Sequence, residues 1–254
     1  MRFHSLLAGL ACLAASPAAL ALGSLAEVSI QDRQSNTVLP VQRSFDAHYI
    51  AGTPGHEYAI RIRNRSDGDV LAVVSVDGVN VVTGATASPQ QSGYVIPARG
   101  FVEIRGWRKS LQRTAAFYFT DLGDAYAART GRPDDVGVIG VALFRRKPEP
   151  PPQVQLRREE RERPAAPAAD ARSGAAGEAD RAGKASPAPS LGTGHGRGET
   201  SYARRVEFER ESATPNEVIA LRYDSRENLV ALGVIPERRG RPDPFPAAFV
   251  PDPN

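Results

Sequence analysis

The run Val70-Leu71-Ala72-Val73-Val74-Ser75-Val76-Asp77-Gly78-Val79-Asn80-Val81-Val82 decides the fold class of this chain. Val70 to Val76 is apolar at odd and even positions alike, as in a central strand covered on both faces. Asp77-Gly78 then separates it from Val79 to Val82, and a two-residue Asp-Gly loop between β-branched runs is among the strongest hairpin signals a sequence carries.

The same grammar extends in both directions from this hairpin. Tyr58, Ile60 and Ile62 alternate with Arg61 and Arg63, the period-two pattern of a half-buried strand. Further strands are expected near Ala26 to Gln31, Val38 to Gln42, Gly93 to Ile96, Phe101 to Trp107, Ala115 to Thr120 and Val136 to Phe144. Short strands at this spacing make the chain mainly β, an antiparallel β-sandwich or small barrel over residues 22 to 147. Asp124 to Thr130 reads as a short helix, capped by Asp121 or Asp124 and stopped at Gly131-Arg132-Pro133.

Composition changes after Phe144. Residues 148 to 199 hold eight Pro, seven Gly and eleven Ala, with no aromatic residue. A stretch of this kind buries too little apolar surface to offset its ordering entropy, so it reads as a disordered linker. Order is expected to return at Tyr202. Val206 and Phe208 alternate with charges, Val218 to Tyr223 reads as a strand, and Asp224-Ser225-Arg226-Glu227 as a capping box. The helix it opens carries Leu229, Val230 and Leu232 and ends at Gly233. Residues 200 to 235 thus make a small α/β module, too small to fold alone, which is expected to dock on the β-domain. Residues 236 to 254 contain six prolines and read as a disordered tail.

The beginning of the chain reads as an export signal. Met1-Arg2 gives a positive start, Leu6 to Leu13 an apolar run, and Ala19-Leu20-Ala21 the small residues that signal peptidase reads. Cleavage is expected after Ala21, and Ser16-Pro17 interrupts the run well short of the roughly 20 apolar residues a membrane span needs. Gly9-Leu10-Ala11-Cys12 lacks the large aliphatic residue a lipoprotein signal places three positions before its cysteine. Cleavage leaves no thiol and 31 basic against 29 acidic side chains, so the periplasmic or secreted product has no disulfide to hold it. A balance so close to neutral does not mark a nucleic-acid partner.

Motifs for enzymatic chemistry, cofactors and metals are missing: there is no GxSxG, HExxH, Walker loop or zinc-ligand cluster. His48, His56 and Asp46, with Asp77, are the residues an extracytoplasmic hydrolase would have to converge, but their spacing around Gly52-Thr53-Pro54-Gly55 matches no ligand pattern. Gly192-Thr193-Gly194-His195-Gly196 looks like a phosphate loop but does not open a helix, so it reads as a flexible hinge. Asn64-Arg65-Ser66 fits a glycosylation sequon. The most suggestive surface feature is Trp107, the only tryptophan, beside Arg108 and Lys109 and near Arg105 and Arg113. An indole among cations either closes the end of a β-core or holds an anionic glycan by stacking and charge.

Ser75 to Val81, Gln91 to Tyr94, Gly106 to Ser110 and Tyr126 to Pro133, with Leu191 to Gly196 and Tyr223 to Pro236, resemble a group of uncharacterised exported bacterial proteins. The resemblance supports the boundaries above and implies no activity. The sequence alone therefore points to an exported, non-enzymatic envelope protein that binds another protein or a cell-wall polymer, with no membrane span after cleavage.

Overall fold

The computed structural model describes residues 22–148 and 191–237; the expected signal peptide 1–21, linker residues 149–190 and tail residues 238–254 lie outside the described residues. In chain order the strands are β1 (Ala26–Asp32), β2 (Thr37–Val38), β3 (Gln42–Ser44), β4 (Ala47–Gly52), β5 (Glu57–Asn64), β6 (Val70–Val76) and β7 (Val79–Asn80). They continue with β8 (Tyr94–Ile96), β9 (Phe101–Ile104), β10 (Gly106–Arg108), β11 (Arg113–Asp121), β12 (Val138–Arg145), β13 (Leu191–Thr200) and β14 (Glu217–Ser225). Two short helices, α1 (Tyr126–Arg129) and α2 (Arg226–Ala231), complete the set.

These strands build two seven-stranded sheets, and neither closes into a barrel. The first runs β10-β11-β5-β1-β2, with β13 on β11 and β9 on β5; the second runs β3-β4-β14-β12-β6-β7, with β8 on β6. All pairings are antiparallel except β4 with β14, which is parallel. The mainly β sandwich is thus the fold, with one parallel pair that the period-two pattern does not reveal.

The Asp77-Gly78 loop forms as its chemistry requires. Asp77 and Gly78 both take positive φ, 51° and 69°, and Val76 faces Val79 across the turn. The strand after it is shorter than expected, because the Asn80 side-chain oxygen accepts the amides of Val82 and Thr83 and bends the chain away. Val70, Ala72, Val74 and Val76 belong to the core between the sheets. Leu71 and Val73 point outward, where with Ala142 and Phe144 they form a second apolar cluster covered by Phe208. Arg210 lies over the Phe144 ring at 4.2 Å and Arg146 over Phe208 at 4.7 Å, so cations complete that cover.

The C-terminal part differs from the expected docking module in three ways. Leu191–Thr200, placed in the linker by composition, is a strand paired along the whole of β11. Its even positions from 192 to 198 are glycines, and Tyr118 lies where a Cβ on Gly194 would stand, so the bare backbone accepts an aromatic ring. The alternation around Val206 and Phe208 makes no strand; that segment crosses from one sheet to the other and supplies Phe208 to the outer cluster. Finally β14 does not dock on a finished domain but lies inside the second sheet, between β4 and β12. At its start the Glu217 carboxylate accepts the amides of Ser24 and Leu25 at 2.7 Å each, which fixes the entry to β1.

Helix α2 opens where expected, but with a simple cap in place of the capping box, because Asn228 and not Glu227 stands three residues after the N-cap. Ser225 is its N-cap, with its hydroxyl accepting the Asn228 amide, and Gly233 follows its end at φ 71°. Leu229 is buried, whereas Leu232 is 47% exposed, so the apolar side is narrower than expected. Around α1 the expected acidic cap is absent: Ala125 stands at the N-cap, and Asp124 belongs to the preceding 3-10 turn. Asn64 is buried, its amide donating to the carbonyls of Gly68, Ile96 and Pro97, which withdraws the sequon from the surface. Among the described residues no helix is long and apolar enough to cross a membrane.

Candidate functional site

Beside α1 lies a cleft of two lobes, about 330 and 200 Å3, that share Tyr126 and His195. The smaller lobe is walled by Trp107, Lys109 and the Thr83-Gly84 loop, the larger by Asp124, Arg129 and Thr130. Arg132 donates to the Gly84 carbonyl and the Thr130 hydroxyl, joining the loop of one lobe to the helix of the other.

The floor begins with Gly106, where a Cβ would overlap the carbonyl oxygen of Ala115. Only glycine lets β10 approach β11 there, and that approach sets Trp107 inward. Trp107 is 4% exposed, edge-on to Phe117 with centroids 5.1 Å apart and tilted against Tyr126, also at 5.1 Å. This overturns Trp107 as a stacking platform, because its faces are covered by protein. What it offers instead is its indole N–H, buried with no partner among the described residues. The Arg108 amide meets the Val81 carbonyl at 2.8 Å and ties the first sheet to the second beneath the smaller lobe.

The four expected binding residues separate by strand alternation. Arg108 turns away from Trp107, its guanidinium held by the Ser201 carbonyl at 2.7 Å, the Ser201 hydroxyl and the Tyr94 hydroxyl. Arg105 ion-pairs with Glu103 at 2.5 Å and lies outside the cleft. Arg108 still contributes to the wall of the smaller lobe, but its guanidinium is engaged by Ser201 and Tyr94, whereas the Lys109 side chain lines the same lobe with no hydrogen-bond or ion-pair partner among the described residues. Across the cleft Arg129 is likewise exposed and unpaired among the described residues.

Sequence reasoning missed Tyr126, Arg129 and His195 as site residues. The first two were legible as an i,i+3 pair that a helix sets on one side. His195 required β13 to be seen as a strand, since its ring reaches the cleft only because Thr193, His195 and Arg197 alternate with glycines. Its ring lies 5.5 Å from that of Tyr126. Burial first and the Lys109 charge second hold its imidazole below the ordinary histidine range, so it is neutral at neutral pH.

The residues of the hydrolase alternative are not brought together. Asp77 is enclosed in the interior, accepting from the Tyr223 hydroxyl and the amides of Gly137 and Thr193. His56 bonds Asp32 at 2.7 Å instead. Burial opposes ionisation of Asp32, but the Ser35 amide and His56 outweigh it and keep its carboxyl below the usual carboxylate range. His48 sits on β4 opposite Arg43. Among the described residues no three His, Cys, Asp or Glu side chains gather to hold a metal.

The flexible-hinge reading of Gly192 to Gly196 is overturned, because the run pairs with β11 as β13 and the Thr193 amide donates to Asp77. Comparison with protein-family models, with curated proteins and with solved structures finds no match to this chain.

Proposed function

We propose that the chain is an exported, non-enzymatic binding module of the cell envelope, and that the cleft beside α1 seats an anionic envelope polymer. One observation carries the reading: Lys109 and Arg129, cations without an ion-pair partner among the described residues, flank a cleft whose floor holds an unsatisfied buried N–H. Such a donor-rich, acceptor-poor seat favours an oxyanion, since a buried donor left unpaired costs about 1–3 kcal/mol until a ligand acceptor meets it. The alternative of a protein partner is less favoured, because the cleft is lined by the charged side chains of Lys109, Asp124 and Arg129.

Export rests on Arg2, the Leu6 to Leu13 run and the Ala19-Leu20-Ala21 site. The expected mature product begins at Leu22, and amino-terminal sequencing of protein recovered outside the inner membrane checks this. The binding reading is tested by retention on immobilised acidic polysaccharide from an envelope extract. Wild type is expected to be retained, and a Lys109→Gln, Arg129→Gln variant to flow through with an unchanged melting temperature. Equal behaviour of the two proteins rejects the cleft as the seat.

A further inference from the structure

The two lobes differ in chemistry, and the difference says more than net charge. The smaller holds Lys109 and the unpartnered Trp107 N–H, with Arg108 in its wall engaged by Ser201 and Tyr94, and carries no carboxylate. Lys109 and the indole donate only, so this lobe is complementary to an oxyanion. The larger lobe mixes Asp124, Arg129 and the Thr130 hydroxyl around the ring of Tyr126. A carboxylate and a guanidinium in one wall offer acceptors and donors together, which suits groups that both give and take hydrogen bonds, namely sugar hydroxyls. Tyr126 is partly buried rather than covered, so a pyranose has an aromatic wall to lie against, the role that Trp107 is too deep to play.

We infer that the cleft recognises an acidic saccharide, with the anionic substituent seated in the Lys109–Trp107 lobe and the neutral sugar ring hydrogen-bonded to Asp124, Arg129 and Thr130 against Tyr126. The inference rests on the anionic-polymer reading above and names its chemistry. His195, shared by both lobes, stands between the two halves of the ligand. Its neutral imidazole offers one donor and one acceptor, as a group between a carboxylate and a hydroxyl must. The larger lobe sets the Asp124 carboxylate and the Arg129 guanidinium in one wall, and discrimination by hydroxyl pattern follows from that mixture.

The test is calorimetric titration of the full exported chain with oligouronates of galacturonate, mannuronate and glucuronate, each beside its carboxyl-reduced neutral counterpart, and with inorganic phosphate. At least one oligouronate is expected to bind ten-fold or more tighter than its reduced counterpart and than phosphate. Lys109→Gln should erase the difference between acidic and neutral forms. Asp124→Asn should weaken both forms alike, several-fold, while leaving phosphate unaffected. Asp124, Lys109 and Arg129 are exposed, so melting temperatures of the variants should match wild type. Phosphate binding as tightly as every oligouronate, with Asp124→Asn silent, overturns the saccharide inference while leaving an anion seat in place. Retention on envelope polysaccharide with no binding to any member of the panel also overturns it. Failure of both retention and titration removes the anionic-polymer reading itself.

Discussion

Asp77 is where the hairpin, β13, β14 and β5 are fastened to one another. Tyr223 donates to its carboxylate at 2.5 Å, Thr193 bonds the Tyr223 hydroxyl at 2.6 Å, and Tyr58 bonds Thr193 at 2.7 Å. Because Tyr223 gives its proton to Asp77, Thr193 must donate to Tyr223 and Tyr58 to Thr193, a single directed chain through the interior. Burial pushes the Asp77 carboxyl up to about 6, against the hydrogen bonds from Tyr223, Thr193, Gly137 and Val138 that favour its ionised form. Between about pH 4 and pH 6 the folded chain therefore holds a proton that the unfolded chain has released, and stability falls as pH rises through that window. The shift of about two units corresponds to a loss on the order of 3 kcal/mol. Urea midpoints measured across that window should show the decline in wild type and its absence in Asp77→Asn, which is less stable throughout because its amide faces the Thr193 N–H. Equal slopes for the two proteins reject the assignment. His195 titrates with the opposite consequence for binding. Burial and then the Lys109 charge hold its imidazole below the ordinary histidine range, and a bound anion favours the protonated ring, so affinity for an oligouronate should rise as pH falls into that depressed range. His195→Gln should flatten that rise, and a rise of the same size in the variant would exclude His195 as its source.

At the scale of single elements, close backbone approach decides what the cleft looks like. Gly106 lets β10 lie on β11, and a Cβ in its place meets backbone, which cannot swing aside as a side chain can. Gly106→Ala should cost about 2–3 kcal/mol through overpacking and should displace Trp107 as well. Thermal unfolding and the tryptophan emission maximum report the two effects, and an unshifted emission with wild-type stability would contradict the packing argument. β13 shows why composition misled. Gly192, Gly194, Gly196 and Gly198 have the residue types of a linker, yet they alternate, and the alternation leaves one face of the strand bare for Tyr118 and Arg113. The other face carries Arg197 and Glu199, which with Arg33 and Glu57 form a ring of ion pairs, three of them at 2.8 Å and one at 2.7 Å, between β13, β5 and the turn after β1. These charges were visible in the sequence, but nothing local tells that residues so far apart in the chain are neighbours.

Taken as a whole, the molecule is a sandwich whose second sheet is interrupted in sequence and continuous in space. β14 pairs with β4 on one edge and β12 on the other, so its loss strands two β-ladders and leaves the Asp77 carboxyl without Tyr223. Deleting residues 212 to 254 should abolish cooperative unfolding and near-ultraviolet dichroism, not merely weaken the β-domain. A truncated chain that unfolds cooperatively with a wild-type midpoint would show that the body is self-sufficient. The sequence by itself determined the period-two strands, the Asp77-Gly78 hairpin, the apolar character of both faces of β6 and the start and stop of the C-terminal helix, because each depends on residues within one or two turns of chain. Tertiary structure alone decided that the C-terminal strands enter both sheets, that Trp107 is floor and not platform, and that His195 and Arg129 meet Lys109 around one cleft. Strand order and side-chain convergence are set by pairing and burial between distant segments, and no local pattern encodes which edge a strand will fill.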